Sequence, residues 1–221
     1  MYNGGMKTVI FDMDGVLVDT EPLNEAHMIM FLSRMGIEID SSYLRKFRGT
    51  HARYTWDRIT QEFKITTPLS ELIPQARASY LDYLLSLKGI RPTEGVVSFL
   101  QELKINKVTL GIASSASSKR LNALLGICKL RDYFEVVLSG DDVTHSKPHP
   151  EVYLKTAKLL KKDPAICVVF EDATNGILAA KAAGMKVIGY RGKEHNTQDL
   201  SKADKVIGSF SEASYAMLEK I

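Results

Sequence analysis

The sequence predicts an α/β protein, a parallel sheet covered on both faces with a helical insert after its first strand, and three observations predict it. Five short Val- and Ile-rich runs do not alternate polar with apolar residues, which marks strands buried on both sides. From residue 108 onward such runs alternate with helical patterns, as in a parallel sheet with right-handed crossovers. Residues 23 to 88 carry helical patterns and no strand run.

The strands expected, in order, are TVIF at 8 to 11, VTLGIA at 108 to 113, EVVL at 135 to 138, CVVF at 167 to 170 and KVIGY at 186 to 190. Between the first two lie helices over LNEAHMIMFLSRMG, SSYLRKF, ARYTWDRITQEF and LSELIPQARASYLDYLLSL, an all-helical insert. In TEGVVSFLQELK, Val96, Phe99, Leu100 and Leu103 follow the spacing of one buried helix face. KPHPEVYLKTAKLLKK opens on prolines suited to a helix entrance and ends in lysines that suit the negative end of its dipole. ATNGILAAKAAG is rich in small residues for close packing and closes on Gly184, a C-cap candidate. The domain boundaries that follow are 1–20 with 90–221 for the α/β core and 21–89 for the insert.

Composition narrows the function classes. At 45% apolar and 25% charged residues, the chain of 221 residues reads as an ordinary globular protein with room for a large core. The net charge is +3 with no long basic run, which speaks against nucleic acid as a partner. No signal-peptide pattern opens the chain and no apolar run approaches the ~18 residues of a membrane span. Cys128 and Cys167 sit among apolar neighbours without metal-ligand spacing, so buried free thiols in a reducing compartment are expected, with the cytoplasm as the location.

In an open parallel sheet, ligands bind beyond the carboxyl ends of the strands. After the first strand come Asp12 and Asp14, after the second Ser114 and Ser115, after the third the run SGDDVTHSKPHP with Lys147, and after the fourth Glu171 and Asp172. Each has a bland reading alone: a solvated turn, a helix N-cap, a surface lysine. Four strands ending in polar groups at one edge are better explained by one site. Clustered carboxylates repel unless a cation holds them, and oxygen ligands without His or Cys suit the hard ion Mg²⁺. A lysine, a serine hydroxyl and turn N–H groups suit the oxygens of a phosphoryl group, and an aspartate can be its acceptor. The residue types leave open which aspartate attacks.

DMDGVLVDT, IASSAS, SKPHPE and VVFEDATNGILAAKAAGM together resemble the four ordered motifs of the haloacid dehalogenase superfamily, in the phosphatase and β-phosphoglucomutase branch whose helical cap follows the first motif. The resemblance implies a Rossmann-like core with an inserted cap. It implies Asp12 as nucleophile, Asp14 as acid and then base, and Ser114, Ser115 and Lys147 as phosphate ligands, with Lys147 neutralising both the phosphoryl group and Asp12. Mg²⁺ would be held by Asp12, the main-chain carbonyl of Asp14, and Asp172, with Glu171 in or near its outer shell. Relatives that displace halide lack the second aspartate, because only an alkoxide leaving group needs a proton, so Asp14 favours phosphoryl transfer. Phosphonate-cleaving relatives use a cap lysine, and residues 21 to 36 contain none.

The resemblance also implies that the cap reads the substrate beyond its phosphate. Asn24 stands where a histidine is common, with His27 one turn on. In RGTHARY, His51 and Arg53 are the candidate substrate contacts, although Arg53 falls one residue late against the mutase pattern. His27, His145, His149 and Trp56 read as packing or loop residues. The resulting expectation is a monomeric Mg²⁺-dependent phosphomonoester hydrolase for a small phosphorylated, sugar-phosphate-like metabolite, working through an aspartyl-phosphate without nucleic acid or membrane. A β-phosphoglucomutase-type isomerase is the alternative.

Overall fold

A computed structural model describes residues 8–47, 52–192 and 196–221. Its contacts divide the chain into two compact units, Met1–Asp19 with Ile90–Ile221, and Thr20–Gly89.

The larger unit holds a sheet of six parallel strands: β1 (Thr8–Phe11), β2 (Thr109–Ala113), β3 (Val136–Leu138), β4 (Cys167–Glu171), β5 (Lys186–Tyr190) and β6 (Lys205–Ile207), in the order β3-β2-β1-β4-β5-β6. β1 therefore lies at the centre, where the chain order reverses and a crevice opens at the carboxyl edge. All residues of β1, β2 and β4 are buried, as unalternating apolar runs require. The sixth strand was not foreseen. It has three residues, begins on a lysine, and exposes two of the three, which suits a sheet edge and leaves too little apolar signal to stand out in the sequence. β4 also runs one residue longer than expected and takes Glu171 into the sheet, opposite Gly189.

The two faces of β1 enter different cores. Ile10 joins an aliphatic cluster that includes Val152, Tyr153 and Ala157 from a helix at Glu151–Leu159 and Ile177, Ala179 and Ala180 from one at Thr174–Ala182. Phe11 faces the other way, with its ring stacked on Phe170 at 5.0 Å between centroids and edge-on to Phe99 at 6.2 Å and Phe134 at 6.0 Å. These rings fasten the ends of the two central strands side by side. The other helices of this unit among the described residues are Val96–Ile105, Ser118–Ile127 and Tyr215–Leu218. Val96, Phe99, Leu100 and Leu103 form the buried face of the first, as their spacing implied. Gly184, at φ +78°, ends the Thr174–Ala182 helix, and Met185 N–H then reaches back to the Ala180 carbonyl.

Among its described residues the smaller unit has helices and no strand, with α-helices at Glu21–Ser33, Ser41–Leu44, Ala52–Glu62 and Leu69–Ser86. Met28, Leu32, Trp56, Ile59, Leu72 and Ala76 make its core, and Trp56 packs edge-on to Phe31. His27 is buried against the Phe31, Tyr80 and Tyr83 rings, with Nε2 3.0 Å from the Ser79 hydroxyl. Both cysteines are buried free thiols, and among the described residues no helix is long and apolar enough to cross a membrane.

Candidate active site

Strand register builds the centre of the site. Phe11 pairs with Phe170 on one side and Ile112 on the other, so the next residue, Asp12, lies alongside Glu171 and Ala113. Its N–H donates to the Phe170 carbonyl at 2.9 Å, which continues the ladder one residue past the strand. The chain then turns sharply. Met13, Val16 and Leu17 are fully buried, and Leu17 and Val18 N–H groups both return to the Met13 carbonyl. That apolar anchorage leaves Asp14, two residues on, half-buried beside the buried Asp12. Gly15 takes φ +78°, and a Cβ there would collide with the Asp172 carboxylate, so a glycine is required on both counts.

Lys147 arrives from the loop after β3. Its ammonium donates to Asp12 Oδ1 at 2.6 Å, to Glu171 Oε1 at 2.7 Å and to the Ala113 carbonyl at 3.1 Å, so one buried cation ties three adjacent strand ends. Glu171 is fixed from further sides: its Oε1 accepts from the Tyr153 hydroxyl at 3.1 Å and its Oε2 from Ala173 N–H at 2.8 Å. A Cβ on Gly176, in the first turn of the following helix, would overlap this carboxylate. Ser114 is fully buried, and its hydroxyl accepts from Ala116 N–H at 3.0 Å, while Ser115 beside it is exposed.

Carboxylate oxygens of Asp12, Glu171 and Asp172 lie within 4.8 Å of one another. Burial pushes the Asp12 carboxyl up to about 7, with Lys147 opposing and Glu171 and Asp14 adding to the rise. Burial, then Glu171 and Asp12, also hold Asp172 well above the usual carboxylate range. Burial works against the Lys147 ammonium, but Asp12 and Glu171 outweigh it and keep it protonated well above its ordinary value. Two buried carboxylates and the half-buried Asp172 thus face one ammonium, an excess of negative charge in low dielectric. An oxygen-only donor set with that imbalance fits a hard divalent cation.

Asp12, Asp14, Ser114, Lys147, Glu171 and Asp172, which the sequence singled out, all sit at this edge. Arg53 belongs to the helical unit, exposed in the first turn of the Ala52–Glu62 helix, and His51 lies outside the described residues. Two participants were missed. Arg120 Nη2, from the first turn of the Ser118–Ile127 helix, donates to Asp14 Oδ2 at 2.6 Å. Tyr153 holds Glu171 and lies beneath the Lys147 ammonium, 4.8 Å from ring centroid to Nζ. Arg120 was visible only as the second of two cations, after Lys119, that follow the serine cluster, whereas Tyr153 was indistinguishable from an ordinary core aromatic.

This is an α/β enzyme site, rich in carboxylates, at the switch point of a parallel sheet. A family model described as haloacid dehalogenase-like hydrolase matches residues 9–190, and the chain belongs to that family. Among its relatives, fructose-1-phosphate phosphatase of Escherichia coli (strain K12) is 34% identical over 83% of this chain and 95% of its own length. Hexitol phosphatase B of the same organism is 31% identical over 81% of each. The crystal structure of a β-phosphoglucomutase from Clostridium difficile superposes with a TM-score of 0.79 at 27% identity, covering 98% of this chain and 96% of that one.

Proposed function

We propose that the chain is a Mg²⁺-dependent phosphomonoester hydrolase for a small sugar-phosphate-like metabolite, working as a cytoplasmic monomer through an aspartyl-phosphate. The carrying observation is the single ammonium of Lys147 held between Asp12 and Glu171 at the sheet's carboxyl edge, with Asp172 beside them. The family match and the phosphatases among the relatives support the reaction class.

In this reading the substrate's phosphoryl oxygens lie against the Ser114 hydroxyl, the exposed Ser115 turn and the Lys147 ammonium. An Asp12 carboxylate oxygen forms the new bond to phosphorus as the bond to the substrate's alkoxide oxygen breaks, and Asp14 gives that oxygen its proton. Asp14, now ionised, takes a proton from water as the water attacks phosphorus. The bond to Asp12 breaks, inorganic phosphate leaves, and both aspartates return to their starting states. Arg120 fixes the Asp14 carboxylate for both proton transfers. Asp12, the Asp14 main-chain carbonyl and Asp172 would hold Mg²⁺, with Glu171 adjacent, and the ion supplies charge neutralisation for the phosphoryl group among these carboxylates. His51 and Arg53 are the proposed substrate contacts of the helical unit.

Hydrolysis of a panel of phosphorylated sugars and sugar alcohols with Mg²⁺, read as phosphate release, tests the proposal. Turnover of none of them, nor of p-nitrophenyl phosphate, contradicts it. The likeness to a solved β-phosphoglucomutase favours one alternative, in which the same aspartyl-phosphate returns to sugar. Incubation with β-glucose 1-phosphate and a trace of the bisphosphate separates the two: glucose 6-phosphate marks the isomerase, and free phosphate alone the hydrolase.

A further inference from the structure

The loop that delivers Lys147 carries a second group of metal-binding side chains that this chemistry does not use. His145 and His149 stand two residues to either side of Lys147, and Glu151 opens the next helix. Their ligand atoms lie within 4.8 Å of one another. His145 Nδ1 is 2.9 Å from Glu151 Oε2, His149 Nδ1 is 4.0 Å from the same oxygen, and the two rings lie 4.5 Å apart. The imidazoles are 62% and 50% exposed, so a cation can reach them from solvent.

Each ring also serves the turn through Nδ1: that of His145 meets Glu151 Oε2, and that of His149 accepts from Glu151 N–H at 3.3 Å. Glu151 already caps the turn through the backbone, accepting from Thr144 N–H on Oε1 and His145 N–H on Oε2, both at 2.9 Å. Those two bonds also fix the carboxylate's direction, the service that neighbouring groups give a metal-bound carboxylate. Two imidazoles and an oriented carboxylate, with solvent for a further position, are the ligand set of Zn²⁺ and not of Mg²⁺. The set therefore differs in chemistry from the oxygen-only group around Asp12.

We propose that His145, His149 and Glu151 form a binding site for a Zn²⁺-class cation on the loop that presents Lys147. The site is independent of the phosphatase reading.

The test uses the full chain, freed of metal by chelation, with Cu²⁺ as the spectroscopic probe because it binds such ligands most tightly of the first-row series. Electron paramagnetic resonance is expected to show one bound Cu²⁺ with coupling to two nitrogens, and calorimetry one Zn²⁺ that excess Mg²⁺ does not displace. The variant H145A/H149A is expected to lose the nitrogen coupling and at least about tenfold in Zn²⁺ affinity. The single variant His149→Gln, which keeps the loop polar, is expected to show one nitrogen. Nitrogen coupling or Zn²⁺ affinity unchanged in the double variant overturns the proposal, as does the absence of Zn²⁺ uptake by the unaltered chain. Mg²⁺-supported turnover is measured separately, so failure of the phosphatase reading leaves this result standing.

Discussion

Arg120 and Asp14, 106 residues apart in sequence, meet at 2.6 Å between guanidinium Nη2 and carboxylate Oδ2. Both side chains are 28% exposed, so the pair contributes at most about 1 kcal/mol to stability. Its consequence lies in orientation. Arg120→Met keeps the side chain's bulk and removes the donor, and is expected to lower kcat by roughly 10–100-fold with the melting temperature nearly unchanged. Steady-state kinetics beside a thermal melt check this, and an unchanged kcat would remove Arg120 from the reaction.

Lys147 differs from Arg120 because its ion pairs are buried, at 8% and 9% side-chain exposure for Lys147 and Asp12. Lys147→Met strands Asp12 and Glu171 without their cation. Loss of activity and of roughly 3 kcal/mol of stability by urea titration is the expected outcome. Millimolar Mg²⁺ is expected to return part of that stability, because a cation among the carboxylates offsets the same repulsion.

Gly176→Ala sets helix propensity against packing. In an open helix the change favours alanine by about 1 kcal/mol. Here the new methyl meets the Glu171 carboxylate, which Lys147, Tyr153 and Ala173 hold in place. A net loss of about 1–3 kcal/mol is expected, and a stabilised variant would show that Glu171 is free to move.

His27 makes stability depend on pH. Burial, with Arg34 adding, lowers its pKa from the ordinary 6.5 to about 4. Between those values the unfolded chain binds the proton and the folded one does not, so this contribution is complete above about 6.5 and is lost as pH falls towards 4. Urea midpoints at pH 7.5 and 5 are expected to diverge more in the unaltered chain than in His27→Phe. Equal divergence would place the acid sensitivity elsewhere.

Most of the sheet was legible because strands buried on both faces leave unbroken apolar runs, as in TVIF and CVVF. β6 was not, since an edge strand of three residues with two exposed keeps no such signal. The polar strand ends were readable for the same topological reason, as each carboxyl end opens on the same edge. Their connections were not. The resemblance implied Lys147 beside Asp12, but nothing in the residue pattern shows it reaching Glu171 and the Ala113 carbonyl as well, because that depends on strand register. Tyr153 shows the same limit, since a tyrosine on an apolar helix face announces packing and not the hydroxyl that steadies Glu171.

The central claim is that Asp12 accepts the phosphoryl group in a Mg²⁺-dependent hydrolysis. Turnover of p-nitrophenyl phosphate by the unaltered chain and by Asp12→Asn, each with Mg²⁺ and after chelation, tests it most directly. The account predicts turnover only in the unaltered chain with Mg²⁺. Equal turnover by Asp12→Asn would contradict it.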